Sequence, residues 1–127
     1  MQLLLKANLP YATVTVAYQE KIVEISDVLV DTGSASTILS ADKLMNIGIK
    51  PSFDDTLHTI RGIGGGEVVF LRKVDFLKLG ERSISDFEIE VGGMDYGFDI
   101  NGIIGMDFLI NTGAIINLRE LRIDFAE

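Results

Sequence analysis

Cysteine is absent from the 127-residue chain. That removes disulfides, thiolate nucleophiles and cysteine-ligated zinc. Histidine occurs once, as His58, so neither an HExxH zinc site nor any other multi-histidine metal centre can be assembled. Basic residues are few: 11 Lys and Arg stand against 19 Asp and Glu, a net charge of −8. A balance of that sign argues against nucleic-acid binding and against charge-driven attachment to anionic lipid. No apolar run approaches the ~20 residues of a membrane span. Met1–Lys6 falls short of the apolar core of about 7–15 residues that a secretory signal needs. The expected setting is therefore cytoplasmic, with no membrane contact from this segment.

What remains is a globular composition. Hydrophobic residues make up 47% and charged residues 24%, which separates the chain from disordered sequences. Its length suits one domain, residues 1–127, with a core of its own. The pattern along it is one of short β runs divided by Gly, Asn and Asp. Tyr11–Tyr18 alternates, with Thr13 and Thr15 on one face and Val14 and Val16 on the other. Gln19-Glu20 is the expected hairpin turn into a strand over Lys21–Val30. Further strands are expected at 37–40, 57–61, 67–79, 84–91 and 100–104, with a last hairpin from 114–118 and 121–125. Two short helical turns fit 41–46, capped by Ser40 and stopped by Gly48, and 107–111, ended by Thr112-Gly113. Short strands at close spacing predict an all-β, closed or sandwiched domain.

Three segments carry the chemistry. In the first, Val28-Leu29-Val30-Asp31-Thr32-Gly33-Ser34, an apolar strand delivers a carboxylate into a low-dielectric site. Gly33 admits close approach of backbone or substrate, and the Thr32 and Ser34 hydroxyls can hydrogen-bond the carboxylate. The second, Ile103-Ile104-Gly105, is an apolar strand ending in a glycine that can pass close behind the Asp31 loop. The third, Gly62-Ile63-Gly64-Gly65-Gly66, joins two strands. It precedes a strand rather than a helix and lacks a following Lys-Ser/Thr, so it is not a phosphate loop. Taken singly, each is also compatible with an ordinary turn or core strand.

In this order and spacing, Asp31–Ser40, the Gly62–Gly66 hairpin and Gly102–Leu109 resemble the retropepsin-like aspartic proteases, single-domain relatives of pepsin, over nearly the whole chain. The resemblance implies a closed β-barrel-like fold with one or two short helices. It implies Asp31 as the catalytic acid, supported by Thr32, Gly33 and Ser34. Gly62–Gly66, Ile63 included, becomes a flap over a polypeptide substrate, and Ile103, Ile104 and Gly105 become the segment packed behind the catalytic loop. No metal or organic cofactor is implied.

Such chemistry needs two carboxylates sharing one proton, and this chain holds one such motif; Asn111-Thr112-Gly113 lacks the acid. The resemblance therefore implies a homodimer with Asp31 contributed twice, Thr32 reaching across the two-fold axis. Two positions depart from the retroviral pattern. Ala35 and Met106 stand where an acid and an arginine usually brace the dimer, and the chain continues through 121–125 past the usual last strand. It is closer to the cellular and bacterial branch. The alternative is a dimerisation or binding module with weak or no catalysis. A glycosidase would need an ordered pair of separated acids, and none is visible. A Ser–His hydrolase would need His58 beside Ser34 or Ser36. The stretch from Ser83 to Leu118 has no Lys or Arg but carries Asp86, Glu88, Glu90, Asp95, Asp99 and Asp107. These are expected on a solvated acidic face, with attraction of basic substrates as the other reading.

Overall fold

The computed structural model describes residues 1–62, 65–97 and 99–127. It is mostly strand, 55% against 12% helix, as an all-β domain requires. The strands are β1 (Leu4–Lys6), β2 (Leu9–Tyr18), β3 (Lys21–Val30), β4 (Ile38–Ser40), β5 (Leu57–Gly62), β6 (Gly65–Leu79), β7 (Arg82–Gly92), β8 (Gly102–Ile104), β9 (Ala114–Asn117) and β10 (Arg122–Phe125). Two short helices, α1 (Ala41–Leu44) and α2 (Met106–Thr112), complete the framework, α1 running on into a 3-10 turn at Met45–Ile47.

Local chemistry sets the turns. Gln19 and Glu20 both take positive φ, 49° and 69°, the backbone pair that matches the twist of a tight hairpin. Ala7 and Asn8 do the same at 50° and 64°, making a β1–β2 hairpin absent from the sequence-based expectation. Three residues of strand are too few to show an alternation. At the start of α1 the Ser40 hydroxyl accepts from the Lys43 N–H at 3.4 Å, and Gly48 ends the following turn at φ 85°.

Eight strands form one sheet in the order β1-β2-β3-β8-β4-β7-β6-β5, and an additional β2–β6 pairing closes six of them into a ring. β8 is central to the site. It runs parallel to β3, with Leu29 opposite Ile103, and antiparallel to β4, with Ile38 opposite Ile103. β9 and β10 form a separate hairpin. The first residues of the chain lie along β10, with the Leu3 N–H donating to the Leu121 carbonyl at 2.6 Å and the Ile123 N–H to the Met1 carbonyl at 2.9 Å.

Strand alternation divides the apolar side chains into two groups. Val28, Val30, Leu39, Ile89, Val91 and Ile104 point into the main core, where Phe108 of α2 meets Phe87 of β7 edge-on at 5.8 Å. Leu29, Ile38 and Ile103 point the other way, into a smaller cluster with Tyr11, Val69, Met94 and Ile100. Among the described residues no helix is long and apolar enough to cross a membrane.

Candidate active site

Asp31 stands one residue beyond β3, half-buried, on the face shared by Leu29 rather than the core face of Val28 and Val30. Its position is fixed through its backbone: the Asp31 N–H donates to the Ile104 carbonyl at 3.0 Å, and the Asp31 carbonyl accepts from the Ser34 N–H at 3.2 Å. Its carboxylate Oδ1 accepts from the Gly33 N–H at 2.8 Å. A Cβ on residue 33 would lie 3.1 Å from that same oxygen, so glycine keeps the carboxylate and the turn in contact.

The Ser34 hydroxyl does not serve the carboxylate. It donates to the Ser36 carbonyl at 2.7 Å, because the tight turn at Gly33 carries residue 34 away from Asp31 Oδ1 and towards the next peptide. Ser34 thus shapes the loop, and the expectation that its hydroxyl bonds Asp31 is corrected. The Thr32 side chain is exposed and, among the described residues, makes no hydrogen bond within the chain.

Behind this loop lies the end of β8. The Ser34 carbonyl accepts from the Met106 N–H at 2.7 Å and the Ala35 carbonyl from the Asp107 N–H at 3.2 Å. A Cβ at position 105 would sit 2.2 Å from the Ser36 oxygen and 2.8 Å from the Ser34 oxygen. Gly105 has φ −102° and ψ −175°, open to any residue, so the requirement for glycine there is one of space.

Sequence reasoning missed the polar seam that ties these pieces together. Thr37, fully buried, donates its hydroxyl to Asp107 Oδ1 at 2.7 Å and its N–H to Asp107 Oδ2 at 3.2 Å, and the same hydroxyl accepts from the Gly105 N–H at 3.1 Å. Asp107 Oδ1 also accepts from the Phe108 N–H at 2.8 Å, capping the first turn of α2. Asp107 is therefore no part of a solvated acidic face. Neither is Glu90, which is 7% exposed and accepts a hydrogen bond from the Ser36 hydroxyl. A hydroxyl and an acid 70 residues apart gave no sequence-level signal of their contact.

β5 and β6 pair out to Gly62 opposite Gly65, so the glycine segment does join two antiparallel strands; Ile63 and Gly64 lie outside the described residues. On the β6 arm of this hairpin Glu67 is fully engaged. Its Oε1 accepts from the Gly93 and Met94 N–H groups at 2.7 and 3.3 Å, and its Oε2 from the Tyr96 hydroxyl at 3.1 Å. Burial, then the bond and charge of Glu67, push the Tyr96 phenol up to about 12. His58, on β5, is half-exposed and 3.8 Å from Glu90 Oε2, nowhere bonded to Ser34 or Ser36. Among the described residues no three His, Asp or Glu side chains gather as a metal ion would require.

The Asp-Thr-Gly loop is thus carried on one strand and braced from behind by an Ile-Ile-Gly strand. A family model described as aspartyl protease, of the retropepsin-like clan, matches residues 13–108, from β2 through the first turn of α2. The chain belongs to the aspartyl protease family. A search of curated proteins found no match. In this aspartyl protease domain the matched span includes the Asp31 loop, the glycine hairpin and the Gly105 brace. The β9–β10 hairpin lies beyond it.

Two shallow apolar clefts flank Thr32 on the surface of the protease domain. One, about 350 Å³, is lined by Leu5, Val30, Thr32, Ile116, Leu118 and Leu121. The other, about 230 Å³, is lined by Met106, Leu109, Ile110, Gly113 and Ile116 beside the same threonine. Ile110, Ile115 and Leu118 are each more than half exposed around them.

Proposed function

We propose that the chain is an aspartic endopeptidase that acts as a symmetric homodimer, with residues 1–127 forming one catalytic domain. The observation that carries this reading is the setting of Asp31. It is the lone acid of its loop, and the adjacent Thr32, exposed and without a hydrogen bond among the described residues, lies between two apolar clefts. A second copy related by a two-fold axis would cover those clefts and bring a second Asp31 to the first. Two carboxylates about 3 Å apart cannot both ionise, so the pair holds one proton. The ionised member takes a proton from a bound water as that water attacks the peptide carbonyl. The protonated member donates to the carbonyl oxygen, giving a gem-diol; as the C–N bond breaks, the proton taken from water passes to the leaving nitrogen and the diol returns one proton to the second carboxylate, restoring the singly protonated pair. Thr32 would bond the partner's loop, compensating for the missing charge pair at Ala35 and Met106. The Gly62–Gly66 hairpin would close over the peptide as a flap, its glycines leaving backbone N–H groups free to hold it.

The second reading, a binding or dimerisation module, is favoured by the absence of that charge pair. The intact Asp31-Thr32-Gly33 loop favours the enzyme. The test is cleavage of an unbiased peptide library by wild type and Asp31→Asn across pH, with sedimentation of both. Wild-type cleavage abolished in a folded, dimeric Asp31→Asn supports the peptidase. A dimer without cleavage at any pH supports the module, and a monomer active at every concentration overturns the shared-site mechanism.

A further inference from the structure

The acids between Ser83 and Leu118 have separate fates. Asp107 is consumed by Thr37 and Phe108, and Glu88 stands opposite Lys73 in the β6–β7 register. Glu90 differs from both. Register places it on the face of Asp31: Leu29 lies opposite Ile103, Ile103 opposite Ile38, and Ile38 opposite Glu90, which itself faces Leu71. Partners in register share a face. An apolar row, Leu29–Ile103–Ile38, thus leads away from the Asp31 strand and ends on a carboxylate. Three strand spacings of about 4.8 Å make that distance about 14 Å.

The carboxylate is nine-tenths buried and incompletely bonded. Oε1 accepts from the Ser36 hydroxyl, five residues past Asp31. Oε2 has no hydrogen-bond donor among the described residues; His58 Nδ1, on the strand leading to the glycine hairpin, is 3.8 Å away. Neighbouring Glu67 offers no such vacancy, since both its oxygens are taken. An acceptor that no described protein donor fills, set between the Asp31 loop and the hairpin arm, is suited to a cation brought by a ligand.

We propose that Glu90 is a specificity-determining residue, its Oε2 receiving the side-chain cation of a lysine or arginine in the bound polypeptide. The inference rests on the peptidase reading. A lysine stem spans about 6 Å, five bonds of ~1.5 Å with their angles. The remaining ~8 Å is two to three residues of extended chain at ~3.4 Å each. The basic residue therefore lies two or three positions from the scissile bond.

The test is binding, measured calorimetrically in the Asp31→Asn background so that peptides survive. The probes are octapeptides with an apolar central pair and lysine placed at each flanking position in turn, each compared with its Nε-acetyl-lysine counterpart, which keeps length and removes charge. At one position lysine should bind at least about tenfold tighter than acetyl-lysine. Adding Glu90→Gln should bring the two within about twofold, while adding His58→Gln should leave the preference in place. Equal binding of the two peptides by the Asp31→Asn protein, a preference that survives Glu90→Gln, or one lost with His58→Gln overturns the inference. The acetyl comparison needs no change at Glu90, so it decides the matter even where Glu90→Gln misfolds. Lysine-selective binding without any wild-type cleavage overturns the peptidase reading and leaves the Glu90 cation site standing. Cleavage without lysine selectivity does the reverse.

Discussion

Replacing Gly105 by alanine isolates the contact that holds the Asp31 loop in place. The added Cβ would meet the Ser36 oxygen at 2.2 Å, the Ser36 carbonyl carbon at 2.6 Å and the Ser34 oxygen at 2.8 Å. All three are backbone atoms, so no side chain can swing aside. Relief requires the loop and the β8–α2 junction to part by about 1 Å, judged against ordinary carbon contacts of ~3.5 Å. Such a shift breaks or stretches three bonds: Met106 N–H to Ser34 O at 2.7 Å, Asp107 N–H to Ala35 O at 3.2 Å, and Gly105 N–H to the Thr37 hydroxyl at 3.1 Å. Overpacking of about 1–3 kcal/mol, with about 1 kcal/mol for each of two lost hydrogen bonds, gives about 3–5 kcal/mol. With a urea dependence of about 1.5 kcal/mol per molar, the unfolding midpoint should fall by about 2–3 M. Gly93→Ala is the comparison, because its Cβ would find only Glu67 Oε1, at an ordinary 3.6 Å. A Gly105→Ala midpoint that matches Gly93→Ala would refute the argument that steric space dictates glycine at 105.

Thr37→Val keeps shape but strips the Gly105 N–H and Asp107 of their shared hydroxyl in a fully buried place, so urea unfolding should show a loss of about 2–4 kcal/mol. Ser34→Ala should leave the acid limb of the pH–rate profile where it is, because the hydroxyl serves the Ser36 carbonyl; an acid limb displaced by half a unit or more would place that hydroxyl on Asp31 instead. Burial pushes the Asp55 carboxyl up, but the Arg72 hydrogen bond, the Ser52 N–H and the Arg72 charge together hold it below its usual value. A lowered folded value stabilises the protein above the unfolded-state value of about 3.9 and is lost as pH falls through the folded one. Asp55→Asn should therefore flatten the drop in Tm between about pH 5 and pH 3, and an unchanged slope would remove Asp55 from that account. Valine at both Gly64 and Gly65 should slow peptide turnover in a protein that still folds, checked by circular dichroism beside the rate; an unchanged rate would deny this hairpin a flap's role.

The strands and the Asp31 loop were legible because their determinants are local. Alternation over Tyr11–Tyr18 announces β2, and an acid closing an apolar run followed by Thr-Gly announces a structured turn whatever lies around it. The hairpin at Ala7-Asn8 was not legible, because three residues of β1 carry no period. Sequence adjacency says nothing of direction at Ser34: the hydroxyl lies three positions from Asp31 yet points at Ser36. Glu90 and Asp107 looked like surface charge because composition counts acids without their partners. Ser36 and Thr37 meet them only after β4 aligns with β7 and α2 folds back across the loop.

The brace behind Asp31 also sets a time order. Its bonds join residues 31–37 to residues 104–107, about seventy positions later. At ribosomal rates of about 5–20 residues per second, the strand bearing Asp31 exists for roughly 4–14 s before the segment that shapes its loop has been made. During that interval the loop lacks its bonds to residues 104–107. Long-range pairing of this kind folds slowly, since chain closure precedes any compensating contact. The nascent chain therefore acquires an ordered Asp31 loop only late in its synthesis.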